Sequence, residues 1–129
     1  MNFINRILII LFISTYIYAQ NSVCFDLADN PHPNNPALTS FTKYVNVLDC
    51  FYIYGESQVS DEKVLHAAAV AAELLDNNED GMVDDPEVKA SLRDLNTMMP
   101  IFNSEWSLGQ DNVFDYYTGC LGAVLYNNE

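Results

Sequence analysis

Positive charge is close to missing from this sequence: five lysines and arginines stand against 18 aspartates and glutamates in 129 residues, a formal net charge of -13. A partner held mainly through phosphates, whether nucleic acid or an anionic membrane face, needs Lys and Arg clustered on one side of a fold. No nucleic-acid partner is therefore expected, and cations are favoured instead. Cysteine is scarce too, three in all: Cys24, Cys50 and Cys120. No two of these have the spacing of a zinc site, and neither His32 nor His66 is close to any of them in sequence, which excludes a Cys/His centre. No internal repeat or low-complexity tract is present, so solenoids, propellers and collagen-like arrays drop out. The length admits one small domain and not two large ones. A hydrophobic content of 50% with 12% aromatics supplies enough apolar surface for a packed core.

Long apolar runs are lacking except at the start. Ile7 to Ile13 is unbroken and continues through Ser14, Thr15, Tyr16, Ile17 and Tyr18 to Ala19, with Arg6 as the one early positive side chain. At thirteen residues the stretch falls short of the roughly 20 that span a bilayer. This is the anatomy of a signal peptide, residues 1–19, cleaved after Ala19. Ile17 at position -3 is not a small residue, which leaves an uncleaved anchor as the alternative. After cleavage no membrane association is expected, and the chain is secreted into an oxidising compartment. Three cysteines then imply one disulfide bond and one spare thiol, with Cys24–Cys50 the first choice. The odd thiol, and an end at Tyr126–Glu129 straight after the apolar Leu121 to Leu125, read as a chain that continues in a longer protein.

Residues 20–40, with Pro31, Pro33 and Pro36 among Asn30, Asn34 and Asn35, read as an extended lead-in with neither helix nor strand. Tyr44 to Tyr54 is dense in β-branched and aromatic residues and predicts one strand, or two short ones turning near Asp49. Ser60 is a candidate N-cap, with Asp61 and Glu62 in the first turn where the helix dipole favours them. Val64, Ala67, Ala68, Ala71, Leu74 and Leu75 recur at steps of three and four and predict the apolar stripe of a helix. A second helix is expected from Pro86 to about Asn96, with Val88, Leu92, Leu95 and Met99 on one face. Met98 to Phe102 suits a further strand; Ser104 to Tyr117 shows no usable period.

Between the two helices lies Asp76-Asn77-Asn78-Glu79-Asp80-Gly81-Met82-Val83-Asp84-Asp85-Pro86-Glu87, which meets every constrained position of D-x-[DN]-x-[DN]-G-x₅-E. Calcium takes about six to eight hard oxygens at roughly 2.3–2.6 Å, so a short loop must aim alternate side chains inward and turn sharply midway. Gly81 permits the turn. By spacing, Asp76, Asn78 and Asp80 offer side-chain oxygens, Met82 its carbonyl, Asp84 a direct or water-bridged contact, and Glu87 a bidentate carboxylate. Asp84 is also placed to cap a helix starting at Asp85, with Glu87 completing an acidic capping box. Without an ion the carboxylates of Asp76, Asp80, Asp84 and Glu87 repel one another, so binding should stabilise the unit.

Helix, loop and helix together resemble an EF-hand, with Leu75 before the loop, Val83 at its eighth position, and Val88, Leu92 and Leu95 after it at the family's apolar positions. The resemblance covers residues 60–96 and implies calcium ion as cofactor and partner, held by the six residues named above. Two departures stand out. Pro86 occupies the eleventh loop position, and no second loop is found to pair with the first, since Asp111 to Asp115 lacks both the spacing and the glycine. The run from Ser60 to Gly81 is also similar to the opening part of larger secreted proteins that carry one such loop. That resemblance implies one α+β unit, residues 41–129, with a central EF-hand-like helix-loop-helix flanked by short strands.

Catalytic signals are thin. His66 lies one helical turn from Glu62, but a histidine on a half-apolar helix is more often simply packed, and His32 reads as an exposed loop residue. Tyr52, Tyr54, Tyr116 and Tyr117 suit either a sugar or peptide surface or, more commonly, the edge of a core. The expectation is a secreted calcium-binding protein with a structural ion. The alternatives are the N-terminal part of a secreted enzyme with calcium as scaffold, or a calcium-dependent interaction module.

Overall fold

The computed structural model describes residues 25–128. The expected signal peptide, its expected cleavage site and Cys24 lie outside them. The described chain is an α+β domain: β1 (Ala28–Asp29), β2 (Phe41–Val47), β3 (Phe51–Glu56), α1 (Asp61–Leu75), α2 (Pro86–Asp94), β4 (Met98–Phe102), α3 (Leu108–Tyr116) and β5 (Leu125–Tyr126). One five-stranded sheet runs in the order β1-β2-β3-β4-β5. The pairs β1–β2 and β2–β3 are antiparallel, while β4 lies parallel to both β3 and β5.

β2 and β3 form the hairpin expected near Asp49. Leu48 (φ 51°) and Asp49 (φ 59°) both have positive φ, and the Cys50 N–H closes the turn on the Val47 carbonyl. Two positive φ values in a row match the right-handed twist of the flanking strands. Side chains then alternate between the two faces. Val45, Val47 and Ile53 pack on one side beneath Val64, Ala67, Ala68 and Ala72 of α1. Phe41 and Tyr54 face the other, against Phe102, Ala37, Leu38 and Val113 of α3. The alanines let α1 lie close; at Gly55 a Cβ would stand 2.7 Å from Val64 Cγ2, so only glycine admits the helix there.

Because β3 and β4 are parallel, a crossover must join them. α1, the Asp76–Glu87 loop and α2 make that crossover. Ser60 caps α1 by accepting from the Lys63 N–H. The apolar stripe is narrower than its spacing suggests: Leu74 is 74% exposed, because the sheet beneath the last turn is covered by Ala72 instead. α2 buries no residue. Of its expected apolar face, Val88 and Leu95 are exposed and Leu92 is half-buried, while Met99 is not on the helix but buried in β4, because the chain turns out of α2 at Asn96. The helix ends before Asn96, whose φ of 47° turns the chain while Asn96 N–H and Thr97 N–H close on the carbonyls of Arg93 and Leu92. That arrangement stops a helix with its last carbonyls satisfied and sends the chain into β4.

Pro100 sits inside β4, a position that normally weakens a central strand. Met98 N–H points to the β5 side, where it donates to Cys120 O. Alternation puts the missing N–H of Pro100 on that same side. There the ladder is broken, running from Met98↔Leu121 directly to Ile101↔Leu125.

Two segments depart from expectation. The 20–40 stretch contributes β1 and buries Ala37 and Leu38, because Asn30 reaches inward and its Nδ2 donates to the carbonyls of Leu38 and Phe41. Residues 108–116, with no usable period in sequence, form α3, capped by Ser107. Glu56, at the end of β3 and 5% exposed, accepts from the Asn103 N–H and the Ser107 hydroxyl, which ties the β4–α3 connection to the sheet. Among the described cysteines, Cys50 is buried and Cys120 exposed, both as free thiols. No helix of the described residues is long and apolar enough to cross a membrane.

Candidate metal-binding loop

The loop begins where α1 stops. Asp76 is the C-cap of α1, its N–H still donating to Ala72 O while φ -135° and ψ 80° take the chain out of the helix. The Asp76 carboxylate is 4% exposed and points into the loop rather than to solvent. Its two oxygens accept from the Asp80 N–H at 3.1 Å and the Gly81 N–H at 2.7 Å. Each carboxylate oxygen has two lone pairs, so both keep acceptor capacity for another partner.

The following residues repeat the device on a smaller scale. Asn78 Oδ1 accepts from the Asp80 N–H at 2.9 Å, and Asp80 Oδ1 from the Met82 N–H at 2.9 Å. Glu79 (φ 59°) and Gly81 (φ 86°) take the left-handed conformations that bend the chain back. A Cβ at Gly81 would meet nothing within 4 Å, so glycine is required there by backbone conformation and not by crowding. Val83 is the one buried residue of the loop's second half, and Asp84 N–H donates to Leu75 O at 2.9 Å, closing the loop on the end of α1.

The second half differs from its expected role. α2 is capped by Asp85, whose Oδ1 accepts from the N–H groups of Glu87 and Val88, and Pro86 occupies the first helical turn. Proline suits that place because its missing N–H has no partner to lose. Asp84 is therefore freed from capping. Its Oδ2 accepts from the backbone and side-chain N–H groups of Asn77, each at 3.0 Å. Those bonds, the side-chain one first, hold the exposed Asp84 carboxyl below the usual aspartate range. Glu87 and Met82 are exposed. No three His, Cys, Asp or Glu side chains among the described residues stand close enough together to hold a metal ion as placed. Asp76, Asn78 and Asp80 are brought together by the turn; Asp84 and Glu87 must swing toward them to share an ion.

His66 is exposed on the outer side of α1, with Glu62 also exposed. Tyr52, Tyr54, Tyr116 and Tyr117 converge on one cleft together with Tyr44, which sequence reasoning did not single out. Its signal was present: Tyr44 and Tyr54 are cross-strand partners and Tyr52 lies two residues away, a period of two that puts all three on one face. Comparison with protein-family models, with curated proteins and with solved structures found no match for the chain, so the reading of these sites rests on their own geometry.

Proposed function

We propose that this is a secreted calcium-binding protein in which the loop Asp76–Glu87 holds one ion, and that the ion is structural. The observation that carries the reading is the turn around Asp76: its buried carboxylate accepts from the Asp80 and Gly81 N–H groups while Gly81 adopts φ 86°. Asp76 and Asn78 both reach the Asp80 N–H, which brings the first and third positions of the loop to the fifth, and their oxygens keep lone pairs to spare. Hard oxygens of this kind, with carboxylate charge and an amide oxygen, match calcium and not a soft transition metal. Asp84, once its Oδ2 leaves the Asn77 N–H groups, and Glu87, both solvent-exposed, would complete the set by swinging inward, and Met82 would supply a carbonyl.

The place of the loop supports a structural role. It lies within the crossover between two parallel strands, so an ion bound there fixes how α2 leaves α1 and delivers the chain to β4. α2 has no fully buried residue, and the ion would add to the little that packing supplies. In an extracellular medium a site of about 10⁻⁴ to 10⁻³ M would already be filled. Calcium at about one hundred times its dissociation constant stabilises the folded state by about 2.7 kcal/mol. Thermal unfolding with and without calcium tests this: the wild-type chain is expected to gain several degrees, and Asp76→Ala and Glu87→Gln to lose that gain. An equal gain in both variants would remove the reading.

A further inference from the structure

On the sheet face opposite α1, five tyrosines gather around a cleft of about 400 Å³, within the range of roughly 300–1,000 Å³ typical of small-molecule sites. Tyr44, Tyr52 and Tyr54 form the floor, held in place by the β2–β3 ladder. Tyr44 and Tyr52 present near-parallel rings, 20° apart with centroids at 6.2 Å. One wall is the turn carrying His32 and Asn35. It is fixed from below, because Asn30 Oδ1 accepts from the His32 N–H and Asn35 Oδ1 from the Ala37 N–H. Tyr116 and Tyr117 make the other wall; the Tyr117 hydroxyl donates to the Asn96 carbonyl and its N–H to Val113 O. Floor and walls are each set by bonds internal to the protein, so the cleft exists before anything binds.

The chemistry of the lining selects its occupant. Among the described residues that line the cleft there is no Asp, Glu, Lys or Arg. An anion would find no lysine or arginine there, in a chain of net charge -13. Burial, first of all, pushes the Tyr54 and Tyr117 hydroxyls up, Tyr117 to about 12, so these phenols are uncharged at any physiological pH, the Tyr117 proton being already given to the Asn96 carbonyl. Tyrosine offers an apolar ring with a polar tip, and the amides of Asn46 and Asn96, at the rim, both donate and accept. A ligand that fits must have an apolar face to lie on rings and a polar edge with closely spaced donors and acceptors. Sugars have both, in the C–H face and the hydroxyl edge of a pyranose ring.

We propose that this cleft is a binding site for a neutral saccharide, one or two rings in length, laid against Tyr44 and Tyr52 and hydrogen-bonded by Asn46 and Asn96. The site is separate from the Asp76–Glu87 loop, on other elements, and needs no ion. This assigns to an exported calcium-stabilised domain a recognition surface for glycans.

The test is binding of the whole chain to a neutral-glycan array, followed by saturation-transfer NMR with the disaccharides that score, in calcium and again in chelator. Tyr116 and Asn46 are exposed, so Tyr116→Ala and Asn46→Ala should fold as wild type, checked by circular dichroism. Each is expected to weaken binding by about tenfold, the loss of one ring contact or one hydrogen-bonding group from a small site. Asp76→Ala, in the loop, is expected to leave saccharide affinity unchanged wherever the variant is folded. Absence of any neutral glycan on the array would overturn the proposal. So would equal binding by the two cleft variants, or displacement of the bound sugar by choline, which would mark the rings as a cage for a quaternary ammonium.

Discussion

Gly81→Ala separates a turn that the chain makes by itself from one that an ion would have to impose. Gly81 has φ 86° and open space around it, so the added methyl meets nothing and the cost is torsional. A left-handed conformation costs an L-residue about 1–2 kcal/mol. Alanine also has fewer unfolded conformations, which returns roughly 0.4–1 kcal/mol. The net is about 1 kcal/mol, or about 4 °C in a domain of this size. The turn is already held by two N–H bonds to Asp76 at 3.1 and 2.7 Å. The strain is therefore present in both the free and the calcium-bound loop, and it cancels from the binding equilibrium. The expectation is a chain less stable by about 1 kcal/mol in urea, with a calcium dissociation constant within about twofold of wild type. If instead stability held and calcium affinity fell about fivefold or more, the turn would form only on binding, and the preformed loop would be refuted.

Three further outcomes follow from the fold. Glu56→Ala leaves the Asn103 N–H and Ser107 hydroxyl without their acceptor at a site 5% exposed, and should cost about 3 kcal/mol in urea unfolding; Glu56→Gln, which keeps one acceptor oxygen, should cost less. Tyr44, Tyr54 and Tyr117 all have hydroxyls raised above the ordinary value of 10.0, chiefly by burial. The unfolded chain thus loses these protons first, and stability present below pH 10 must fall as pH rises toward 12 and beyond; ultraviolet titration should show three late tyrosines, and Tyr44, Tyr54 and Tyr117 titrating at the ordinary value of 10.0 in folded protein would contradict it. Cys120 should react rapidly with a thiol reagent and Cys50 only after denaturation, since Cys50 is 0% exposed and burial pushes its thiol up. A Cys50 that stays unreactive in denaturant until reductant is added would reveal the expected bond to Cys24.

Much of the framework was legible because local signals and tertiary demands agree. The Ser60 cap and the three-and-four spacing of Val64, Ala67 and Ala68 each have one structural solution, and the structure adopts it; in the loop, the glycine at Gly81 likewise takes the left-handed turn its position predicts. What was not legible depends on contacts distant in sequence. α3 buries only Gly109 and Val113 and leaves Leu108, Phe114 and Tyr116 exposed, so no apolar period announces it. The fold of residues 30–40 hangs on the Asn30 side chain bonding to Leu38 and Phe41, a role that asparagine in a proline-rich stretch does not advertise. Asp84 and Asp85 are equally good caps by type; Pro86 decides between them, because it is best accommodated one step after the cap. The tyrosine cleft required both the β2–β3 register and the return of residues 116–119 beside the sheet.

The central claim is that the Asp76–Glu87 loop binds calcium to hold the crossover together. It is tested most directly by calorimetric titration of the folded chain with calcium, repeated in excess magnesium, with circular dichroism before and after chelation. The account predicts a single calcium event that magnesium does not displace, with loss of helix signal on chelation. A folded chain that gives no heat at millimolar calcium, and the same spectrum with chelator, would contradict it.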